Sequence, residues 1–307
     1  NTSFNIKDHI RVGENAYMFY KDNPTIGNLS EGNEISNAYR MQPIVPVYDI
    51  NGGWGGARAA GLGNNSNPYA SRIRAANNKG YSWNMSGNVF AEVDFLKHFT
   101  ARTSFGGNMS NYYYYYYTFH TYENAENNAS NGFNEGAGYY RDWTFSNTVS
   151  YTNNFGEHSV KALAGIEAFE SYQRELGGGA LGYFTDNPNF RTLTAGSSGF
   201  TNFSRVNNNN SLYSQFAKVD YGYADKYLLS GIIRRDGSSK FGEDSRYGIF
   251  PSVQAAWVIS KENFFKGVGF VNNLKLRGSW GKLGNFLNVD PNNAFNLYGG
   301  TVDGGNI

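Results

Sequence analysis

Cysteine is absent from all 307 residues, which excludes disulfides and thiolate metal sites. Also missing is any run of 18 consecutive apolar residues, and the mean hydropathy is −0.55. No segment is therefore suited to cross a bilayer as a helix. That absence does not reach strands, because a membrane-spanning strand needs only one apolar face. Charge is scarce too, at 17% of residues with a formal net charge of +1. Without a basic block there is no electrostatic footprint for nucleic acid.

What the chain has in quantity is Tyr (24), Phe (23) and Gly (38), with Asn scattered throughout. Asn, Gly and Ser are poor in helix interiors because they favour turns and caps. The composition predicts strands and turns, in one large all-β domain or two smaller ones.

Strict alternation marks strands that differ on their two faces. Between Asn88 and Phe95, Val89, Ala91, Val93 and Phe95 alternate with Asn88, Phe90, Glu92 and Asp94. After a tight turn at Lys97-His98, Phe99, Ala101, Thr103 and Phe105 alternate with Thr100, Arg102 and Ser104. Further pairs run Trp143 to Tyr151 with Val160 to Ala168, Leu212 to Tyr223 with Tyr227 to Asp236, and Tyr247 to Ile259 with Leu274 to Trp280. With one strand between Phe4 and Tyr17, the expectation is about nine strands.

The connections alternate in length. Turns near residues 97, 156 and 225 are tight, those at 18–81, 122–138, 175–209 and 237–246 are long, and 260–273 is intermediate. Short turns at one end and long loops at the other are the pattern of an outer-membrane barrel, periplasmic and extracellular respectively. Aromatic residues cluster at the short-turn end: Phe95, Phe99, Tyr151, Phe155, Tyr221, Tyr223 and Tyr227. Such rings form interfacial girdles in membrane proteins. A Lys or Arg on the lipid face at the midplane costs roughly 2–4 kcal/mol. Arg102, Lys161, Lys218, Lys275 and Arg277 all fall in the opposite, lumen-facing register. A soluble sandwich would show the same alternation with its faces exchanged in meaning, so the pattern alone leaves that alternative open.

The second half carries ordered motifs. Tyr227-Leu-Leu-Ser-Gly-Ile-Ile-Arg-Arg-Asp-Gly-Ser-Ser-Lys-Phe-Gly242 is followed by Tyr247-Gly-Ile-Phe-Pro-Ser252 and Ala256-Trp257-Val-Ile-Ser-Lys-Glu262. Leu274-Lys-Leu-Arg-Gly-Ser-Trp-Gly281 and Gly284-Asn285 come next. Together they resemble the signature of SusC/RagA-type TonB-dependent outer-membrane transporters, in which Arg235, Asp236, Gly237, Ser238, Ser239, Phe241, Gly242, Trp257, Leu274, Leu276 and Arg277 are structural. Pro46-Val-Tyr-Asp-Ile-Asn-Gly52 and Asn67-Pro68 resemble the same family's early barrel loop, and the likeness is diffuse between 100 and 210.

The resemblance implies an antiparallel transmembrane β-barrel of roughly 22 strands around a plugged lumen, of which residues 1–307 supply part. It implies import of oligosaccharides or peptides, a TonB partner acting through a plug, a SusD-like surface lipoprotein, and contact with outer-membrane lipid. A plug domain, a TonB box and closing C-terminal strands are not recognised here, and no targeting segment opens the chain. The expectation is an internal piece of a longer, multi-pass protein of a Gram-negative outer membrane.

No chemistry of catalysis stands out, and neither an enzyme nor a cofactor is expected. His9, His98, His120 and His158 are scattered without metal-ligand spacing. Asp236-Gly-Ser-Ser-Lys-Phe-Gly242 lacks the lysine spacing of a phosphate loop and reads as a turn. Gly177-Gly-Gly-Ala-Leu-Gly182 reads as a flexible loop. Glu92 and Asp94 are expected to meet a lumen arginine, with Arg102 across the hairpin the plausible partner. Tyr112 to Tyr117 should alternate faces at the upper aromatic belt or above it, because they lie beyond the roughly 9–11 residues that span lipid. Stacking of sugars on the inward rings is the minor alternative.

The long loops carry Trp54, Tyr183, Phe184, Phe190, Phe200 and Tyr298 amid Asn, Gly and Ser. Such a mixture suits glycan capture, packing against a partner, or packing of loop on loop. The competing functions are an energised importer, a passive porin-like barrel, and a soluble all-β glycan-binding module.

Overall fold

In the computed structural model, which describes residues 1–24, 33–265, 267, 269–286, 288–290 and 293–294, one antiparallel sheet dominates. Its strands are β1 (Thr2–Ile6), β2 (Ile10–Pro24), β3 (Lys79–Phe95), β4 (Phe99–Thr118) and β5 (Gly132–Phe155). They continue as β6 (His158–Leu181), β7 (Ser198–Tyr223), β8 (Tyr227–Ser238), β9 (Tyr247–Val258) and β10 (Lys275–Gly281). Spatial order equals chain order, so the sheet is an up-and-down meander with β1 and β10 at its two edges. A sandwich requires a second packed sheet, and the described residues form none.

The two faces differ row by row. Along the hydrogen-bonding direction Ile10, Val93, Ala101, Val149, Ala164, Ala217, Ile233 and Pro251 sit side by side, an apolar line across eight strands. One residue along, on the other face, lie Arg11, Glu92, Arg102, Thr148, Gly165, Phe216, Arg234 and Phe250. Lys161, Lys218, Lys275 and Arg277 share that second face. The apolar line is exposed in part, with Val93 41%, Val149 44% and Ile233 53% accessible. Among the described residues no large side chain is fully buried. The apolar surface thus faces outward rather than into a core, which is the inverse of a soluble sandwich.

Aromatic rings border the apolar face at the short-turn end. Phe95, Phe99 and Tyr151 touch in series at centroid distances of 5.5 and 5.0 Å. Four residues further along β5 the series resumes with Phe155, His158, Tyr223 and Tyr227, at 5.8, 4.9 and 6.4 Å. That step between neighbouring strands is the stagger that tilted barrel strands require. The turns beneath are tight: Leu96 and Lys97 take φ of 49° and 59°, and Ala224 and Asp225 take 52° and 53°.

The described residues form ten strands, against about nine expected. Phe4 to Tyr17 holds two, β1 and β2, joined by the turn Lys7–His9 with Lys7 at φ 56°. No Gly, Asn or Pro punctuates that turn, and Phe4, Ile6, Ile10 and Val12 keep one phase through it, so the sequence reads as continuous. The strands also reach further into the long connections than alternation indicates. β5 begins at Gly132, β6 continues to Leu181 and β7 starts at Ser198. Gly177 to Leu181, read as flexible loop, belong to β6; Gly177 to Gly179 pair with both neighbours, and Ala180 pairs with β5 alone at a register shift. At 20 to 26 residues, β4 to β7 are about twice the roughly 9–11 residues that a barrel strand needs to cross lipid.

Between β2 and β3 the chain forms two short helices, α1 (Glu34–Arg40) and α2 (Pro68–Arg74). The Asn67 side chain caps α2 by accepting from the N–H groups of Tyr69 and Ala70 at 3.1 and 3.0 Å. Its amide donates to the carbonyls of Val47 and Gly55 at 2.9 and 2.7 Å. One buried side chain thus ties Asn67-Pro68 to the segment 46–55.

Candidate functional site

On the inward face the charges are mutually neutralised where β2, β3 and β4 meet. Arg11 spans Glu92 at 2.8 Å and Asp94 at 2.5 Å, and Arg102 binds the other oxygen of Glu92 at 2.5 Å. The Thr100 hydroxyl completes Asp94 at 2.6 Å. Arg102 is the partner expected for Glu92, while Arg11 adds a cation that sequence reasoning did not place. These contacts cross-link β2, β3 and β4 through their side chains. A second group joins Arg234 to Asp236 at 2.6 Å and Glu167 at 3.4 Å.

Higher on the same face, aromatic rings lie flat against the sheet. Tyr112 and Tyr114 reach across β5, and their ring planes differ by 14° with centroids 6.5 Å apart. Each lies over a glycine of the paired register, Gly138 and Gly136. A Cβ on Gly136 would fall 2.6 and 2.7 Å from Oη and Cζ of Tyr114 and 3.0 Å from Cε1, beneath the ring face rather than at its edge. Tyr112 sits still closer to Gly138. The hydroxyls end on β6: Tyr112 Oη accepts from Gln173 at 3.0 Å, and Tyr114 donates to Glu175 at 3.1 Å. From the other side Phe203 of β7 lies over Gly177, where a Cβ would meet Cζ at 2.7 Å. Arg205 binds Glu175 at 2.9 Å and stands 4.9 Å from the Phe203 ring centre. Sequence reasoning placed Tyr112 and Tyr114 on one face but missed this assembly. The available signal was the register: Tyr-x-Tyr on β4 against Gly-x-Gly on β5, since glycine inside a strand marks a close approach.

The outward tyrosines of the same run behave differently. Tyr113 donates to Glu135 at 2.5 Å and Tyr115 packs near Tyr81. Tyr117 is 3% exposed, its hydroxyl bound to Asp186 at 2.7 Å, with the Arg191 guanidinium 4.1 Å above its ring.

The loop aromatics are distributed rather than gathered. Trp54 stacks on Tyr48 at 5.3 Å and meets Tyr69 at 5.9 Å, and its N–H donates to the Tyr122 hydroxyl at 2.9 Å. Tyr183 is buried with Tyr117, Phe133 and Ala180 and donates to the Thr192 carbonyl at 2.8 Å, so it anchors its loop. Phe184, 76% exposed, touches Phe190 at 5.2 Å. Phe200 stands exposed on β7, and Tyr298 lies outside the described residues. Beneath the Trp54 cluster, Arg74 pairs with the buried Glu123 at 2.5 Å. Burial pushes the Glu123 carboxyl upward, but Arg74 and the N–H groups of Tyr122 and Glu123 outweigh it and hold it below the usual range.

The signature residues build turns and edges. Arg235 lies 3.8 Å over the Tyr247 ring on the outward face, and Asp236 takes Arg234 inward. Gly237 opposes Tyr247 so closely that a Cβ would strike its ring. The Ser238 N–H donates to the Arg246 carbonyl, and the Ser239 hydroxyl accepts from the Ser211 N–H, closing the turn before Phe241 and Gly242. Trp257 donates to Glu262 at 3.0 Å. Leu276 faces outward while Arg277 faces inward, and Leu274 precedes β10. His98 and His158 sit at the short turns, His158 Nδ1 lying 2.7 Å from Tyr221 Oη. Among the described residues no group of three His, Asp or Glu is placed to hold a metal.

No family model matches the chain. It is 30% identical over 266 residues to TonB-dependent receptor P39 of Formosa agariphila, covering 84% of this chain and 24% of that protein. Against TonB-dependent receptor P3 of the same organism the identity is 29% over 297 residues, covering 93% and 29%. Against TonB-dependent receptor SusC of Bacteroides thetaiotaomicron it is 28% over 302 residues, covering 91% and 29%. The fold superposes on a structure of the RagAB peptide transporter with a TM-score of 0.72, at 22% identity, covering 91% of this chain and 31% of that one. The chain thus spans less than a third of the length of these curated relatives. A meander with an apolar outward band and most of its strand charges turned inward, joined to these sequences, makes the chain similar to part of the barrel of TonB-dependent receptors. Within that class, the chain resembles the SusC/RagA type along about nine-tenths of its length.

Proposed function

We propose that this chain forms part of the wall of an outer-membrane importer that takes up oligosaccharides or peptides, is energised through TonB and works with a SusD-like surface lipoprotein. The observation that carries the reading is the two-faced sheet: an apolar outward band, bordered by aromatics at the short-turn end, with the ion pairs Arg11–Glu92, Arg102–Glu92 and Arg234–Asp236 on the opposite, inward face. The receptor names of the curated relatives support transport rather than catalysis, and a passive pore would need no TonB.

The register is tested on the full-length parent protein in outer-membrane vesicles. Single cysteines at Val93, Ala162 and Val253 are compared with cysteines at Arg102, Lys161 and Arg277. The first set is expected to label from a lipid-phase thiol reagent and the second from a water-soluble one. Labelling of both sets from water overturns the barrel reading. Uptake is then measured with and without TonB: loss of uptake supports the energised importer, and unchanged uptake leaves a passive pore in its place.

A further inference from the structure

The three rings laid on glycines are not explained by the architecture of the wall. Glycine inside a strand weakens a sheet, because it adds backbone entropy to be lost and offers no side chain to pack. Here Gly136, Gly138 and Gly177 occur where Tyr114, Tyr112 and Phe203 need a floor without a Cβ. The outcome is a pair of nearly parallel phenol rings laid over β5, with the Phe203 ring reaching back over β6 beside them, on the inward surface above the apolar band. Gln173, Glu175 and Arg205 lie among the rings. Both phenol hydroxyls are tied down at their far ends, so the rings are fixed in this pose.

We propose that Tyr112, Tyr114 and Phe203 form a stacking subsite for consecutive pyranose rings of a linear oligosaccharide, a proposal that rests on the importer reading and narrows its substrate to glycan. A pyranose presents a flat face of C–H groups to an aromatic ring and hydroxyls around its rim. The wall offers that pairing, with flat ring faces beside an amide, a carboxylate and a guanidinium. A peptide is recognised otherwise, by adding to an exposed strand edge or by sinking side chains into pockets. β4 to β7 are paired on both sides, which leaves no edge for strand addition beneath the rings. Fixed aromatic faces also bind without ordering flexible groups, which favours repeated capture and release along a path.

The test uses the full-length parent protein purified in detergent and titrated calorimetrically with two probe sets. One contains maltohexaose, laminarihexaose and mannohexaose, and the other is a pool of unmodified short peptides. One of the sugars is expected to bind, with Tyr112→Ala and Tyr114→Ala each weakening it about ten-fold or more. Gly138→Val, which displaces the Tyr112 ring, should act in the same direction. Tyr114→Phe keeps the ring face and should stay within about three-fold, and Tyr113→Ala, on the outward face, should leave the affinity unchanged. Retained ring-preserving binding shows that the alanine variants fail at the site and not in folding. The proposal is overturned if no sugar binds, if only peptides bind, or if the alanine variants bind sugar as tightly as the parent. TonB-independent uptake with intact sugar binding would instead overturn the importer reading and spare the subsite.

Discussion

On β6 the outward positions from Val160 to Ala168 are Val, Ala, Ala, Ile and Ala, whereas the next three are Glu170, Tyr172 and Arg174. The same change occurs on β5, where Val149, Phe145 and Trp143 give way to Arg141, which binds Glu170 across the strands at 3.2 Å. In the proposed outer-membrane wall, one face of each strand below this boundary is governed by lipid. Above it water reaches both faces, and order comes from hydrogen bonds, ion pairs and rings packed on backbone. The two halves of one strand therefore answer to different solvents, and a substitution should have opposite consequences according to which half it enters.

The largest effect is expected above the boundary, where Glu123 and Arg74 are shielded together. Removing one member of a buried pair costs about 3–5 kcal/mol. Arg74→Ala should loosen the 119–131 loop by that order, read as faster amide exchange there with the strands below unchanged. Below the boundary, Ala164→Lys should destabilise the barrel by about 2–4 kcal/mol, while Leu163→Gln, one residue along on the inward face, stays within about 1 kcal/mol. Unfolding by urea in detergent or lipid separates the two. Similar losses for both would erase the distinction between the faces. Tyr117→Phe, which leaves Asp186 without its phenol, should cost the upper packing about 1.5–3 kcal/mol. Protection of the Tyr183 loop reports it.

The smallest change comes from acid. Because the folded Glu123 carboxyl titrates below its unfolded value, its contribution is complete above the ordinary glutamate range and is lost as pH falls through the lower, folded value. Exchange in the 119–131 loop should therefore accelerate only on acidification past the usual glutamate range. Arg74→Ala should remove most of that dependence, and an unchanged profile in the variant would dissociate the pair from loop order.

The same boundary explains what was legible in the sequence. Along the apolar band alternation is strong although not unbroken, and Val89 to Phe95 or Val160 to Ala168 declare the strand and its two faces. Turn lengths separated a short-turn end from a long-connection end, and the motif from Tyr227 to Gly242 pointed to the family. Above the boundary no such alternation is imposed. Asn202 to Asn210 looks like loop, yet it is β7, and the register shift opposite Ser171 to Gln173 inserts an extra residue that breaks any remaining phase. The Tyr and Gly runs were conspicuous, but their meaning depended on which strand lies opposite which, and that information is absent from either segment alone. Tyr183 illustrates the same limit, because an aromatic residue in a polar loop can equally face a ligand or plug its own loop.

The turns at the short end carry a consequence for assembly. Leu96 and Lys97, like Ala224 and Asp225, hold left-handed backbone that ordinary side chains adopt reluctantly, and each turn closes a hairpin whose first contacts are only a few residues apart in the chain. Closing so small a loop sacrifices little chain entropy, whereas β2 and β3 must be brought together across more than fifty intervening residues. The hairpins β3–β4, β5–β6 and β7–β8 are thus expected to zip first, from the short-turn end upward. Lateral joining of preformed hairpins then sets the pace of folding, with the β2–β3 seam among the last to close.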